Sequence, residues 1–216
     1  MLFKNKFYTF IVTSIIIIII LGIINSLFIY KIDKTNKQNS IVFLGDSITY
    51  LYPLEEFYKD KNIINSGISG YKTIDILKHL DNMVNKYNPT KVFLLIGTND
   101  MGQGISNDSI LKNIKQIVAN IDKKNTKIYI ESIYPINENK KNYFSYKNKT
   151  NKNIQKLNIK LKKYCTLNNI VYIDVYNELL DKKGNMALKY TKDGLHLTNE
   201  GYKKVTEILL PYINDD

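Results

Sequence analysis

Two short strings at opposite ends of the sequence, Gly45-Asp46-Ser47 and Asp193-Gly194-Leu195-His196, together hold a hydroxyl, an imidazole and a carboxylate. A serine hydroxyl is a weak nucleophile until a neighbouring base takes its proton. An imidazole does this best when a carboxylate fixes its tautomer and stabilises the imidazolium that forms. The chemistry open to such a set is acyl transfer through a covalent serine intermediate.

The base must be one of two histidines, His79 or His196. In the segment Thr73 to Tyr87 the apolar side is built from Ile76, Leu80, Met83, Val84 and Tyr87, which sets His79 about 100° off that face, on the surface. His196 falls in a short non-helical stretch before the last helical segment, and a turn there can bring the Asp193 carboxylate onto its Nδ1–H. Asp-x-x-His alone is a weak signal, and its weight comes from two further strings, Asn65-Ser66-Gly67-Ile68-Ser69-Gly70 and Gly97-Thr98-Asn99-Asp100. A tetrahedral intermediate needs preorganised donors, each worth about 3 kcal/mol; the Ser47 N–H, the Gly70 N–H and the Asn99 Nδ2 could supply them. Taken singly, each string also has a plain reading: Gly67 and Gly70 permit a tight turn, and Asn99 caps the segment after its strand. The alternative nucleophile Ser69 lacks the G-x-S-x-G elbow, because Gly67-Ile68-Ser69-Gly70-Tyr71 places the second glycine one position early.

The elements that must position these residues follow from hydrophobic pattern. Short apolar runs, Ile41 to Leu44, Ile63-Ile64, Val92 to Ile96, Ile128 to Ile130 and Val171 to Ile173, alternate with helical segments near Thr73 to Tyr87, Asp108 to Lys123, Thr150 to Leu167 and Asn199 to Tyr212. Continuous apolar strands separated by helices imply a parallel sheet covered on both faces, a three-layer α/β/α sandwich of about five strands. In such a sheet ligands sit at the carboxyl ends of the strands, where the strand order reverses. All four strings fall at strand ends or in the loop before the last helix.

The amino-terminal part is of another kind. No charged residue occurs from Phe7 to Tyr30, so the stretch can cross a hydrocarbon core of about 30 Å as a helix. The division expected is a tail and transmembrane anchor over 1–30, a polar linker over 31–40 and a globular domain over 41–216. The long apolar run lacks a small-x-small cleavage site, which favours retention. Lysines flank both ends of the run; a short tail that stays inside places the domain on the outer face of the membrane.

Composition excludes several functions. The net charge of +11 comes entirely from lysine, with no arginine, which poorly serves base readout and bidentate phosphate clamps, so no nucleic-acid partner is expected. One cysteine leaves no internal disulfide, and with two histidines no thiolate–imidazole metal site is expected. The densest basic stretch, Lys140 to Lys163, reads as a solvated loop and the outer face of a helix. The Lys/Asn-rich connection from Asn137 to Asn153 is long enough to border a substrate cleft.

Gly45-Asp46-Ser47, Gly70 in the second string, Gly97-Thr98-Asn99-Asp100 and Asp193-Gly194-Leu195-His196 resemble the four blocks of the SGNH, or GDSL, hydrolase family, over about Ile41 to Ile213. The resemblance implies a flavodoxin-like sandwich with Ser47 as nucleophile, His196 as base and Asp193 as its partner. It also implies an oxyanion hole of the Ser47 N–H, the Gly70 N–H and Asn99, with Gly67 left as a turn residue. No metal or organic cofactor is implied. The substrate implied is a carboxylic ester: an acylated envelope glycan undergoing O-deacetylation, or a lysophospholipid. An O-acyltransferase using the same triad and a non-catalytic tethered binding module are the rival readings; the oligomeric state is left open.

Overall fold

The computed structural model describes residues 2–38, 40–121, 126–140 and 149–215. The chain divides into two compact units, Met1–Asn39 and Ser40–Asp216.

The first unit is one helix, α1 (Leu2–Gln38). Its segment Thr13–Lys31, 19 residues with a mean hydropathy of 2.4, has no buried residue and is long and apolar enough to cross a membrane or to serve as a signal sequence. The helix runs on through 31–38, where the sequence suggested a linker. No glycine or proline lies between Ile23 and Gln38, and lysine and glutamine are good helix formers, so nothing stops it earlier. Asn39, the next linker residue, lies outside the described residues.

The second unit follows the order β1 (Ile41–Gly45), α2 (Ser47–Tyr50), α3 (Leu54–Phe57), β2 (Ile63–Gly67), α4 (Thr73–Met83), β3 (Lys91–Leu95), α5 (Thr98–Gly102), α6 (Asn107–Asn120), β4 (Lys127–Glu131), α7 (Asn151–Leu167), β5 (Val171–Ile173) and α8 (Asn199–Ile213). The strands form one sheet of order β2-β1-β3-β4-β5, parallel throughout. It is the flavodoxin-like α/β arrangement, with its order reversing between β1 and β3.

Register explains the layers. Phe43 pairs with Phe93 and Phe93 with Tyr129, and their rings stack at 4.9 and 4.6 Å. Phe43 also meets Tyr52 and Tyr58, while Tyr52 stacks on Tyr202 of α8, so this aromatic row faces α2, α3 and α8. The alternate residues Val42, Leu44, Val92, Leu94, Ile128 and Ile130 are equally buried and point to the opposite face, the side left for α4, α6 and α7. Apolar side chains on both faces give the strands their unbroken hydrophobic runs.

Element ends differ from the sequence expectations in instructive ways. β2 continues through Asn65 and Ser66 to Gly67, so Gly67 is a strand residue paired with Gly45, not a turn residue. A Cβ at Gly67 would lie 2.2 Å from the Tyr50 N; this glycine lets α2 cross the end of β2. α4 stops at Met83 and a 3-10 turn covers Asn85–Tyr87, closed by Asn88 in the left-handed conformation. α6 ends at Asn120, and Lys123, taken as its last residue from the pattern, lies outside the described residues.

Candidate active site

Ser47 is the first residue of α2, immediately after β1 and Asp46. The Asp46 Oδ1 accepts from the Ile48 N–H at 2.9 Å and caps that short helix, fixing the backbone that presents the serine at the carboxyl edge of the sheet. Tyr202 of α8 donates to the Ile48 carbonyl at 2.7 Å from the other side.

The loop carrying Asp193 and His196 is stapled to itself. The Thr191 hydroxyl donates to the His196 carbonyl at 3.0 Å and accepts from the Gly194 N–H at 2.8 Å. The Asp193 Oδ1 accepts from the Leu195 and His196 N–H groups at 2.9 and 2.8 Å. Gly194 has φ +99, a conformation costly to any residue with a Cβ and the reason the turn closes so tightly. The long connection holds the loop from outside: the Asn137 N–H donates to the Gly194 carbonyl at 2.8 Å, and the Lys140 ammonium donates to the Thr191 and Lys192 carbonyls at 3.1 and 2.7 Å.

The structure brings the three residues into one chain of contacts. The Ser47 Oγ lies 3.0 Å from the His196 Nε2, and the His196 Nδ1 lies 2.6 Å from the Asp193 Oδ2. Partial burial works to raise the Asp193 pKa, but hydrogen bonds from the His196 ring and from the His196 and Leu195 N–H groups hold it below the ordinary carboxylate value. Asp193 is therefore a carboxylate at neutral pH. A serine hydroxyl, an imidazole and an ionised carboxylate in this order can pass a proton from Oγ to Nε2 while the charge on the ring is balanced.

The strings after β2 and β3 converge on the same edge. The Ile68 N–H donates to the Gly45 carbonyl at 3.1 Å, laying the loop that holds Gly70 against the end of β1. The Asn99 Nδ2 donates to the Tyr71 carbonyl at 3.0 Å, which orients the amide and leaves its second proton available. Asn99 sits inside α5, whose N-cap is Gly97, so the reading of Asn99 as a cap is not the one the fold uses. Among the described residues the Ser47 and Gly70 N–H groups have no hydrogen-bond acceptor.

His79 lies exposed on α4, its ring stacked on Tyr71 at 5.9 Å and not joined to Ser47. Cys165 is buried in the core, and burial pushes its thiol up to about 11. Among the described residues no group of three or more His, Cys, Asp and Glu side chains could hold a metal ion.

Two residues beside the site escaped the sequence reading. Asp46 is 1 % exposed, and its Oδ2 has no hydrogen-bond partner among the described residues. Burial pushes its pKa up to about 6 against the downward pull of the Ile48 N–H, Lys149 and His196. Lys149 belongs to the basic stretch read as solvated, yet it is 2 % exposed; that reading is corrected for this residue, whose pKa burial lowers while Asp46 and Asp193 pull it back up. Lys141 and Lys147 of the same stretch lie outside the described residues. Nothing in a run of lysines marks which one is buried, because the signal is tertiary.

Comparison with known proteins adds to this geometry. A model of the GDSL-like lipase/acylhydrolase family matches residues 43–204. An N-acylneuraminate cytidylyltransferase of Streptococcus agalactiae is 30% identical over 166 residues, 76% of this chain but only 36% of that protein, so the chain spans about a third of that relative's length. The human platelet-activating factor acetylhydrolase IB subunit alpha2 is 27% identical over 188 residues, covering 83% of this chain and 78% of that one. A solved Streptococcus pneumonia structure, provisionally described as a platelet activating factor, superposes with a TM-score of 0.77 at 30% identity, over 89% of this chain and 97% of that one.

Proposed function

Because this chain belongs to the GDSL-like lipase/acylhydrolase family, a family of ester hydrolases, we propose that Ser47 is its nucleophile, His196 its general base and Asp193 the carboxylate that orients the base. The observation that carries this is the unbroken line of contacts from the Ser47 Oγ through the His196 ring to the Asp193 carboxylate, at 3.0 and 2.6 Å. In this reading the His196 Nε2 takes the serine proton as Oγ attacks the ester carbonyl. The oxyanion that forms accepts from the Ser47 N–H, the Gly70 N–H and the free proton of the Asn99 Nδ2. The imidazolium returns the proton to the leaving alkoxide; the acyl-enzyme is then opened by a water that His196 deprotonates in turn.

The substrate we propose is a short acyl ester, an acetyl group on an envelope glycan. Two relatives support separate parts of this reading: one is named for an N-acylated sugar acid, which supports a sugar carrier, and the other as an acetylhydrolase, which supports the acetyl group. The apolar segment Thr13–Lys31 supports retention at a membrane, with the globular unit on its outer face; an intact chain that stays with carbonate-washed membranes agrees with this, and release by the wash contradicts it. A chain-length series of nitrophenyl esters on the detergent-solubilised full chain tests the acyl preference. Higher kcat/KM for acetyl than for octanoyl is expected, and the reverse order would transfer the reading to a lipid ester.

A further inference from the structure

Three separate elements supply the proposed oxyanion donors: Ser47 opens α2, Gly70 lies between β2 and α4, and Asn99 belongs to α5. Donors from different elements serve one oxyanion only if their spacing is fixed beforehand. Asp100, next to Asn99 in α5, is fully buried, and its carboxylate reaches the segment that carries Gly70. The Asp100 Oδ2 accepts from the Thr73 N–H at 3.0 Å, and the Oδ1 accepts from the Thr73 hydroxyl at 2.5 Å. The Asn113 Nδ2 of α6 donates to that hydroxyl oxygen at 2.8 Å, which leaves the hydroxyl proton for Asp100. Lys72, the residue before α4, has no side-chain acceptor, so the Thr73 N–H at the start of that helix takes its acceptor from α5. Asn99 makes a second tie to the same segment by donating to the Tyr71 carbonyl at 3.0 Å.

We propose that Asp100 is a positioning residue of the hydrolytic reaction: through Thr73 it clasps the segment 70–73 to α5 and so sets the spacing between the Gly70 N–H and the Asn99 amide. This rests on the reading of Ser47 as nucleophile and of Gly70 and Asn99 as oxyanion donors. Asp100 touches no reacting atom and acts through those two donors. A carboxylate suits the task, because hydrogen bonds to an ionised acceptor are shorter and roughly twice as strong as those to a neutral one. Burying it is costly unless its oxygens are hydrogen-bonded, and here Thr73 takes up both. The oxyanion exists only beyond the ground state, so a loosened clasp lowers kcat and leaves KM nearly unchanged.

The test is kcat and KM for 4-nitrophenyl acetate on the detergent-solubilised full chain, below the melting temperature of every variant. The variants are Asp100→Asn, Thr73→Val, Thr73→Ser, Asn99→Ala and the Asp100→Asn/Asn99→Ala double variant, with Ser47→Ala as control. Asp100→Asn is expected to lower kcat about 10- to 100-fold at nearly constant KM. Thr73→Val loses one of the two hydrogen bonds and falls less, while Thr73→Ser keeps both and retains most of the rate. In the Asn99→Ala background the clasp has lost one of the donors it spaces, so Asp100→Asn costs a clearly smaller factor there than in wild type. A residue that merely supports the fold would cost the same factor in both backgrounds, and that result overturns the proposal. An unchanged kcat in Asp100→Asn, with Asn99→Ala impaired and Ser47→Ala inactive, overturns the role of Asp100 and spares the serine mechanism. A wild-type kcat in Asn99→Ala overturns the oxyanion hole and the clasp together, and a Ser47→Ala chain as active as wild type overturns the whole reading. If Asp100→Asn fails to fold by circular dichroism, Thr73→Val decides in the same two backgrounds, and an unchanged kcat or an equal factor there overturns the proposal.

Discussion

Asn99 illustrates how one side chain is readied for two partners. Its amide donates one proton to the Tyr71 carbonyl at 3.0 Å, which fixes the plane of the group before any substrate arrives, and the other proton is the proposed third donor to the oxyanion. Asn99→Ala is expected to lower kcat about 10²- to 10³-fold with little change in KM, measured on 4-nitrophenyl acetate; a loss confined to KM would remove Asn99 from the oxyanion hole. The reactive residues were legible because each stands in a short string whose spacing is local: Asp193 and His196 are three positions apart, and Ser47 stands two positions past the end of its strand. Asp46 and Lys149 were not. An acidic residue beside the serine and one lysine among many carry no mark of burial in the sequence, although both side chains are buried in the fold.

Among the elements, α2 is the one on which the site depends most, and it has only four residues. It is held by the Asp46 cap, by the Tyr202 hydroxyl and by close contact with the end of β2. A Cβ on Gly67 would meet the Tyr50 N at 2.2 Å and the Thr49 carbonyl carbon at 2.6 Å, both backbone atoms that cannot swing aside. Gly67→Ala is therefore expected to cost about 2 kcal/mol or more of stability and to lower activity by displacing Ser47; urea melts and esterase rates check it, and an unchanged melt would show that α2 yields freely. The five strands were readable from their apolar runs, as were α4, α6, α7 and α8 from their helical period. The short α2, α3 and α5 were not, since a single turn shows no periodicity, and the true end of β2 was hidden because Asn65, Ser66 and Gly67 look like a loop to any reading by hydrophobicity.

At the scale of the whole molecule, two buried carboxyls tie stability to pH. Burial raises Glu131 from the ordinary 4.5 to about 7, against the hydrogen bond from Tyr134, and Asp46 from 3.8 to about 6. Both bind their protons more tightly folded than unfolded, so the stability they contribute is fully present below about pH 4 and is lost as pH rises through 6 and 7. Glu131→Gln, which keeps an acceptor for Tyr134, is expected to be more stable than wild type at pH 8 by up to about 3 kcal/mol and no more stable at pH 4. Urea melts at the two pH values check this; an equal difference at both would assign the effect to packing. The claim on which the functional account stands is that Ser47 is the activated nucleophile. Its most direct test is the intact mass of the full chain after reaction with a fluorophosphonate: wild type is expected to gain one adduct, mapped to Ser47, while Ser47→Ala gains none. A wild-type chain left unmodified where a control serine esterase reacts, or a Ser47→Ala chain labelled to the same extent, would contradict it.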